Sequence, residues 1–404
     1  MADNDLARTI GERVQFYRTA SRRAKTVVAG LTGITPDYLY QIERGQKIPT
    51  VAVLTQLADV LGVPAGELLC GQPARNPARG KTAAGGAIYQ ALTSRSQSRD
   101  APVALPALQR RVREAWTTWQ TSPHRYSQLT ERLPALIADI EHAVRTVSAS
   151  GQTDMQREHL GCAADLYGLL RTVTKRIGRV DLSLLAADRA VRCAEAAGDP
   201  LRLAAAHWNM SQVLLADGEP QAAEAVAMRA AERMEPLMAG GTADMAAMYG
   251  SVILLGAVAA ARNGDAWTAR DRIRRAAPLA KLTGERNTMW TAFGPTNVAM
   301  YAVSIEFESG EAVEGLRLAE RVDHDRSPSI ERRVAFLVDQ AKGYEQRRDF
   351  ASALTLLTTA EREAPEDMQY RPAAHAVLRT VAHRGRRHVA AEASQLALRI
   401  GLPV

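Results

Sequence analysis

The sequence predicts an all-α protein: a front of five short helices followed by an α-solenoid of helical hairpins. Three observations carry that expectation. Phe, Trp and Tyr supply only 5% of the 404 residues, whereas sheets draw on aromatic and β-branched side chains. From Ala107 almost to the end, apolar residues recur with a helical period. Turn glycines fall at Gly178, Gly218, Gly264 and Gly310, spaced 40, 46 and 46 residues apart, each between an apolar helix and an Ala-rich one. A single hairpin of this kind cannot bury its apolar side, so neighbouring hairpins must stack.

The front helices follow from local signals. Ile10, Val14 and Tyr17 share one face of a first helix. Lys25–Thr32 makes a second, with Val28, Ala29 and Leu31 available to the core. Gly33-Ile34 turns the chain, because glycine tolerates the left-handed conformation a tight turn requires. Thr35 suits an N-cap and Pro36 the first helical position, which opens a third helix over Pro36–Arg44 with Leu39 and Ile42 inward. Gly45 ends it, and Ile48-Pro49 starts a new segment. Val51–Leu61 is a fourth helix, with Val53 and Leu57 in the core, and Pro64–Leu69 a short fifth.

Composition marks residues 71–106, rich in Gly, Pro, Ser and Arg, as a basic flexible linker with one short helical stretch near Ile88–Leu92. The expected domains are therefore 1–70, the linker 71–106, and a repeat domain over 107–404. Charge follows the same division. Residues 71–132 contribute +7 and residues 1–49 another +3, while the rest is close to neutral. A basic front next to a balanced body implies a polyanion partner for the front only.

Five repeat units follow, with turns at the four glycines and, in the last, at Arg348-Asp349. Small residues after each turn (Ala187, Ala222-Ala223, Ala269, Ala353) let the second helix lie closely on the first. The units resemble tetratricopeptide repeats, with longer connections between hairpins than that family uses. Gly33–Val63, with its Tyr-Leu-x-Gln-Ile-Glu-Arg-Gly core and following Pro-Thr step, resembles the helix-turn-helix domain of the phage repressor and Cro class, the Xre family.

That resemblance implies a third helix in the major groove of double-stranded DNA. Base-reading positions then fall on Pro36, Asp37 and Gln41, with Thr35, Tyr38 and Tyr40 nearby, and phosphate contacts on Lys25, Tyr40, Arg44 and Lys47. Gln41 carries an amide able to pair with adenine N6 and N7. Glu43 is expected to brace the domain through an ion pair. The family's Ser or Thr before the second helix is Ala24 here, so the capping hydroxyl is missing. A homodimer reading a pseudo-palindromic operator is implied, since one such domain reads half a site.

The combination resembles the peptide-responsive regulators of Gram-positive bacteria, in an actinobacterial form, which implies a peptide or small-molecule effector in the array. Residues standing out there are Trp208 and Asn209, and Trp290, Phe293, Asn297 and Tyr301, the first three of these last four read as sharing one helical face. Tyr167, Arg171 and Tyr249 are weaker candidates. An adaptor whose array holds a protein partner is the alternative. No phosphate-cradling Gly motif appears; His383 and His388 lack a metal-ligand spacing; Cys70, Cys162 and Cys193 have no close pair. The expectation is no enzyme, no cofactor and no metal. The longest apolar run, Val252–Ala261, is too short to cross a bilayer, so a soluble cytoplasmic protein without membrane partners is expected.

Overall fold

The computed structural model describes residues 2–20, 23–63, 65–69, 83–93, 101–150 and 153–402, and all regular structure among them is helical. Pro64, Cys70 and most of the expected linker, 71–82 and 94–100, lie outside the described residues. The chain forms two compact units, one of residues 1–81 with 375–404 and the other of residues 82–374.

In the first unit, α1 (Ala2–Ala20), α2 (Lys25–Leu31), α3 (Pro36–Glu43), α4 (Val51–Leu61) and α5 (Ala65–Leu69) enclose a core of Ile10, Val14, Val28, Ala29, Leu39, Ile42, Leu54, Leu57 and Leu68. Two expected core members differ. Leu31 is 62% exposed, because α2 ends with its last turn facing outward, and Val53 is only half-buried at the core's margin. Thr35 caps α3 by accepting from the Tyr38 N–H at 3.1 Å, and Thr50 caps α4 through the Val53 N–H at 3.4 Å. Gly11 lets α1 and α3 approach closely: a Cβ there would overlap the Ile42 carbonyl.

The second unit begins with α6 (Ala83–Thr93), whose Ile88 and Leu92 pack against α8, so the helical stretch expected near Ile88–Leu92 is a full helix. Six hairpins follow: α7 (Leu105–Thr121) with α8 (Arg125–Ser150), α9 (Thr153–Arg176) with α10 (Val180–Ala197), α11 (Pro200–Asp217) with α12 (Pro220–Met234), α13 (Ala243–Arg262) with α14 (Ala266–Thr283), α15 (Pro295–Glu308) with α16 (Ala312–Ala319), and α17 (Ile330–Gln346) with α18 (Phe350–Glu363). One turn, α19 (Pro365–Met368), closes this unit. Two further helices, α20 (Pro372–Arg384) and α21 (Arg387–Arg399), complete the chain.

The five predicted hairpin turns share one geometry. Gly178, Gly218, Gly264 and Gly310 have φ between 80° and 88°, and Arg348 takes the same left-handed conformation at φ 61°. In each, the next N–H reaches back to the carbonyl five residues earlier at 2.8–2.9 Å, as in Asp265 to Ala260 and Asp349 to Tyr344. Five residues beyond the turn residue stand Ser183, Ala223, Ala269, Gly315 and Ala353, all buried where the second helix meets the first. Ser183 holds this position in the first unit, Ala187 is likewise fully buried one turn further along, and Ala222 is exposed.

First helices pack on first helices, in the order α9, α11, α13, α15, α17, and α7 touches both α9 and α17. The unit thus curls until its ends meet. Trp119 Nε1 on α7 donates to Glu331 Oε2 on α17 at 2.9 Å, and Arg125 on α8 meets Asp367 of α19 at 2.5 Å with both side chains buried. The apolar run expected at Val252–Ala261 belongs to the longer α13, mean hydropathy 1.6, long and apolar enough to span a membrane by length and composition. Of its most apolar stretch, 72% is instead buried inside the protein.

Candidate functional site

The outward face of α3 is polar by construction. Leu39, Ile42 and Glu43 point into the unit, which leaves Thr35, Pro36, Asp37, Tyr40 and Arg44 exposed and Tyr38 and Gln41 half-buried along the opposite side. Cations lie over the tyrosine rings there. Lys25 Nζ is 4.7 Å from the centre of the Tyr40 ring, Arg44 Cζ is 5.7 Å from it, and Lys47 Nζ is 5.8 Å from that of Tyr38. Such stacking holds a cation in place at little cost to its outward charge.

Glu43 sits beneath this face with its side chain only 2% exposed, bound by Arg18 at 2.5 Å and Lys25 at 3.0 Å. The expected brace is therefore a three-residue cluster, and Lys25 belongs to it. Lys25 also occupies the first turn of α2, whose preceding residue, Ala24, makes no side-chain cap.

In the array, the expected effector residues separate. Phe293 is fully buried: its ring fills the space beside Gly250, where a Cβ would overlap it. It is a core residue, not a lining one. Trp290, Phe293 and Asn297 do not share a helical face. Thr288–Trp290 is a 3-10 turn, Met289, Trp290 and Ala292 have φ of 47°, 64° and 53°, and α15 starts only at Pro295. Tertiary bonds impose that irregular course. Gln120 Nε2 donates to the Trp290 carbonyl at 2.9 Å, and Trp290 stacks on Trp116 with centroids 5.4 Å apart and planes at 4°. Asn297 is buried, donating to the Thr291 carbonyl at 3.3 Å and accepting from Arg332 Nε at 2.9 Å. Arg332 in turn covers the buried Tyr301 ring at 4.2 Å. Asn209 accepts from Arg171 Nη2, and the Arg171 guanidinium lies 5.6 Å from the Trp208 ring. Tyr167 faces the other side of α9, onto Glu141 at 3.0 Å.

Residues 9–69 match the family described as "Helix-turn-helix domain". The front of the chain is a helix-turn-helix domain. Among curated proteins, none is significantly similar to this chain in sequence. Solved structures weakly similar to this chain include the following two. PlcR of Bacillus thuringiensis, in complex with the peptide PapR7 and DNA, has 12% identity and a TM-score of 0.29, covering 68% of this chain and 95% of that one. The apo form of the competence regulator ComR from Streptococcus vestibularis has 12% identity and a TM-score of 0.24, covering 77% and 99%.

In the second unit, the first helices bring Arg171, Trp208 and Asn209 together with Lys175 and Gln212, and Asn297 and Tyr301 together with Arg332; sequence alone did not single out Lys175, Gln212 or Arg332. Arg171 and Lys175 are four apart on α9, a spacing that places both on one face. Part of the basic surplus in 71–132 is offset by carboxylates of the second unit. Arg125 lies buried against Asp367, and the partly exposed Arg111 pairs with Asp139 at 2.6 Å, both within the second unit. Elsewhere, a cavity of about 400 Å³ between α6, α8, α9 and α10 is lined by Glu141, Arg145, Tyr167, Arg189 and Cys193, but Glu141 already answers its cations. Burial raises Cys193 to about 11 and Cys162 to about 12, so both thiols stay protonated. His383 is half-exposed, 3.7 Å from Glu12, and no metal-binding cluster occurs among the described residues.

Proposed function

We propose that this chain is a DNA-binding transcription regulator that acts as a homodimer, with the array sensing a peptide or small-molecule signal. The observation that carries the reading is the exposed face of α3, where Asp37, Tyr40 and Gln41 are presented beside cations stacked on tyrosines. Gln41 discriminates bases through its amide, Asp37 accepts from a cytosine amine, and Pro36 offers an apolar contact. Lys25, Arg44 and Lys47 meet phosphates, which positions the helix and confers salt dependence without sequence choice. Lys25 contributes least, since Glu43 already offsets its charge. Two domains on a two-fold axis read two half-sites, and an effector that favours one separation of the pair shifts operator occupancy.

A mobility-shift series on DNA upstream of the protein's own gene tests this. Gln41→Ala is expected to weaken the specific complex by about 1–3 kcal/mol and relax the sequence requirement. Arg44→Ala weakens all complexes alike and lowers the slope of log K against log salt by about 1. Absence of any salt-sensitive specific complex, or unchanged binding in the double variant, sinks the reading.

A further inference from the structure

The interior face of the first helices contains hydrogen-bond donors that nothing among the described residues accepts. Arg171, 2% exposed, gives Nη2 to Asn209 and leaves its buried Nε without a partner. The Trp208 Nε1–H beside it is likewise buried and unpartnered. One turn further along α9, Lys175 gives Nζ to the neutral Gln212 side chain at 3.2 Å, and no carboxylate ion-pairs with Lys175 or Arg171 among the described residues. Buried donors are almost always satisfied, and a buried cation without a counter-charge is costly.

The carboxylates nearby are already taken. Glu331 is bound by Arg176 and by the Trp119 indole, and Asp367 by Arg125, Arg371 and the Tyr126 hydroxyl. Cations exceed anions here: Arg125, Arg171, Lys175, Arg176 and Arg371 face Glu331 and Asp367. Burial, reinforced by the charges of Arg176 and Arg171, pulls the Lys175 ammonium well below the ordinary lysine range, and burial pulls Arg171 down to about 9. Lys175, Trp208 and Gln212 are half-buried and each keep part of their surface exposed beside these donors.

We propose that this interior is a binding site for a ligand carrying a carboxylate, seated between Arg171 Nε, Trp208 Nε1 and Lys175 Nζ. The proposal rests on the reading of the array as the effector domain and names the chemistry the effector presents. Two unpartnered donors beside a lysine held only by a neutral amide call for an anion. Inorganic phosphate carries no apolar group to lie against the Trp208 ring and is the weaker fit. Trp208 supplies an apolar wall for whatever the carboxylate is attached to.

The test uses the purified full chain and its melting temperature at constant ionic strength, with acetate and phenylacetate as probes and phenylacetamide and inorganic phosphate for comparison. The two carboxylates should give a saturable rise in the wild type, larger for phenylacetate, while phenylacetamide gives none. Lys175→Met should abolish the rise and, without probe, melt no lower than wild type, because it removes a cation crowded by Arg176 and Arg171. Lys175→Gln, which keeps a donor without the charge, should also lose most of the response. An equal rise in wild type and Lys175→Met, no rise with either carboxylate, or a larger rise with phosphate than with carboxylates overturns the proposal. DNA binding is read separately by mobility shift: a carboxylate response in a chain that fails to bind DNA counts against the regulator reading alone, and loss of the response in a Lys175→Met chain that still binds DNA isolates the array site.

Discussion

Arg348 occupies a backbone position that four of the five equivalent turns give to glycine. A side chain at φ 61° costs roughly 1–2 kcal/mol, while glycine's extra freedom in the unfolded chain costs roughly 0.5–1. Arg348→Gly is therefore expected to stabilise the second unit by about 0.5–1 kcal/mol in urea unfolding, and Gly218→Ala to destabilise it by a similar amount. If Arg348→Gly lowers the midpoint, the turn is held by contacts of the arginine and not merely tolerated. At this scale much was legible: Thr35 as a cap, Pro36 at the first helical position, Leu39 and Ile42 as core and Glu43 as a brace follow from residue type and spacing. Trp290 and Phe293 did not, because their conformations come from Gln120, Trp116 and Gly250, which are 40 or more residues away in sequence.

Individual helices are bounded by devices visible in the sequence. Asp199 accepts from the N–H groups of Leu201 and Arg202, both at 3.0 Å, and Pro200 follows it, which fixes the start of α11. Asp199→Ala is expected to cost about 1 kcal/mol for the lost cap, plus the loss of its 2.5 Å pair with Arg202. Thermal unfolding of the variant measures this, and a change within error places the start of α11 under tertiary control. Contacts between second and first helices depend on the small residue five places after each turn. A larger side chain there must displace the facing helix: a Cβ on Gly315 would overlap the Phe307 ring, so Gly315→Ala is expected to destabilise by about 1–3 kcal/mol. The α2–α5 boundaries were readable to within a residue, with α3 and α4 opening on the Thr35 and Thr50 caps, whereas α1 starts at Ala2, well before the Ile10 face that marked it. The course of residues 284–294 was not, since it lacks helical φ values and owes its shape to α7 and α13.

Across the second unit, closure depends on ionic groups buried between its first and last hairpins. Burial alone would raise the Asp367 carboxyl, but Arg371 and Arg125 outweigh it and hold it down at about 2. A carboxyl so depressed contributes stability that is complete above its unfolded value and is lost as pH falls through the folded one. The unit should thus lose this contribution between about pH 4 and pH 2. Asp367→Asn, which strands two buried guanidinium groups, should cost about 3–5 kcal/mol at neutral pH and flatten that acid limb. An unchanged acid midpoint in the variant argues that other carboxyls govern acid unfolding. Stacking of hairpins was legible from turn spacing. The closure was not, because nothing local distinguishes Arg125 or Glu331 from solvated charges.

That closure sets an order of events during synthesis. Separate repeats can fold one after another as they emerge, each on its predecessor. Here Arg125 waits for Asp367, 242 residues later, which at roughly 5–20 residues per second is a delay of roughly 12–48 s. Until then the opening hairpin carries an uncompensated guanidinium and an unfinished seam, so its commitment belongs to the moment the last hairpin leaves the ribosome.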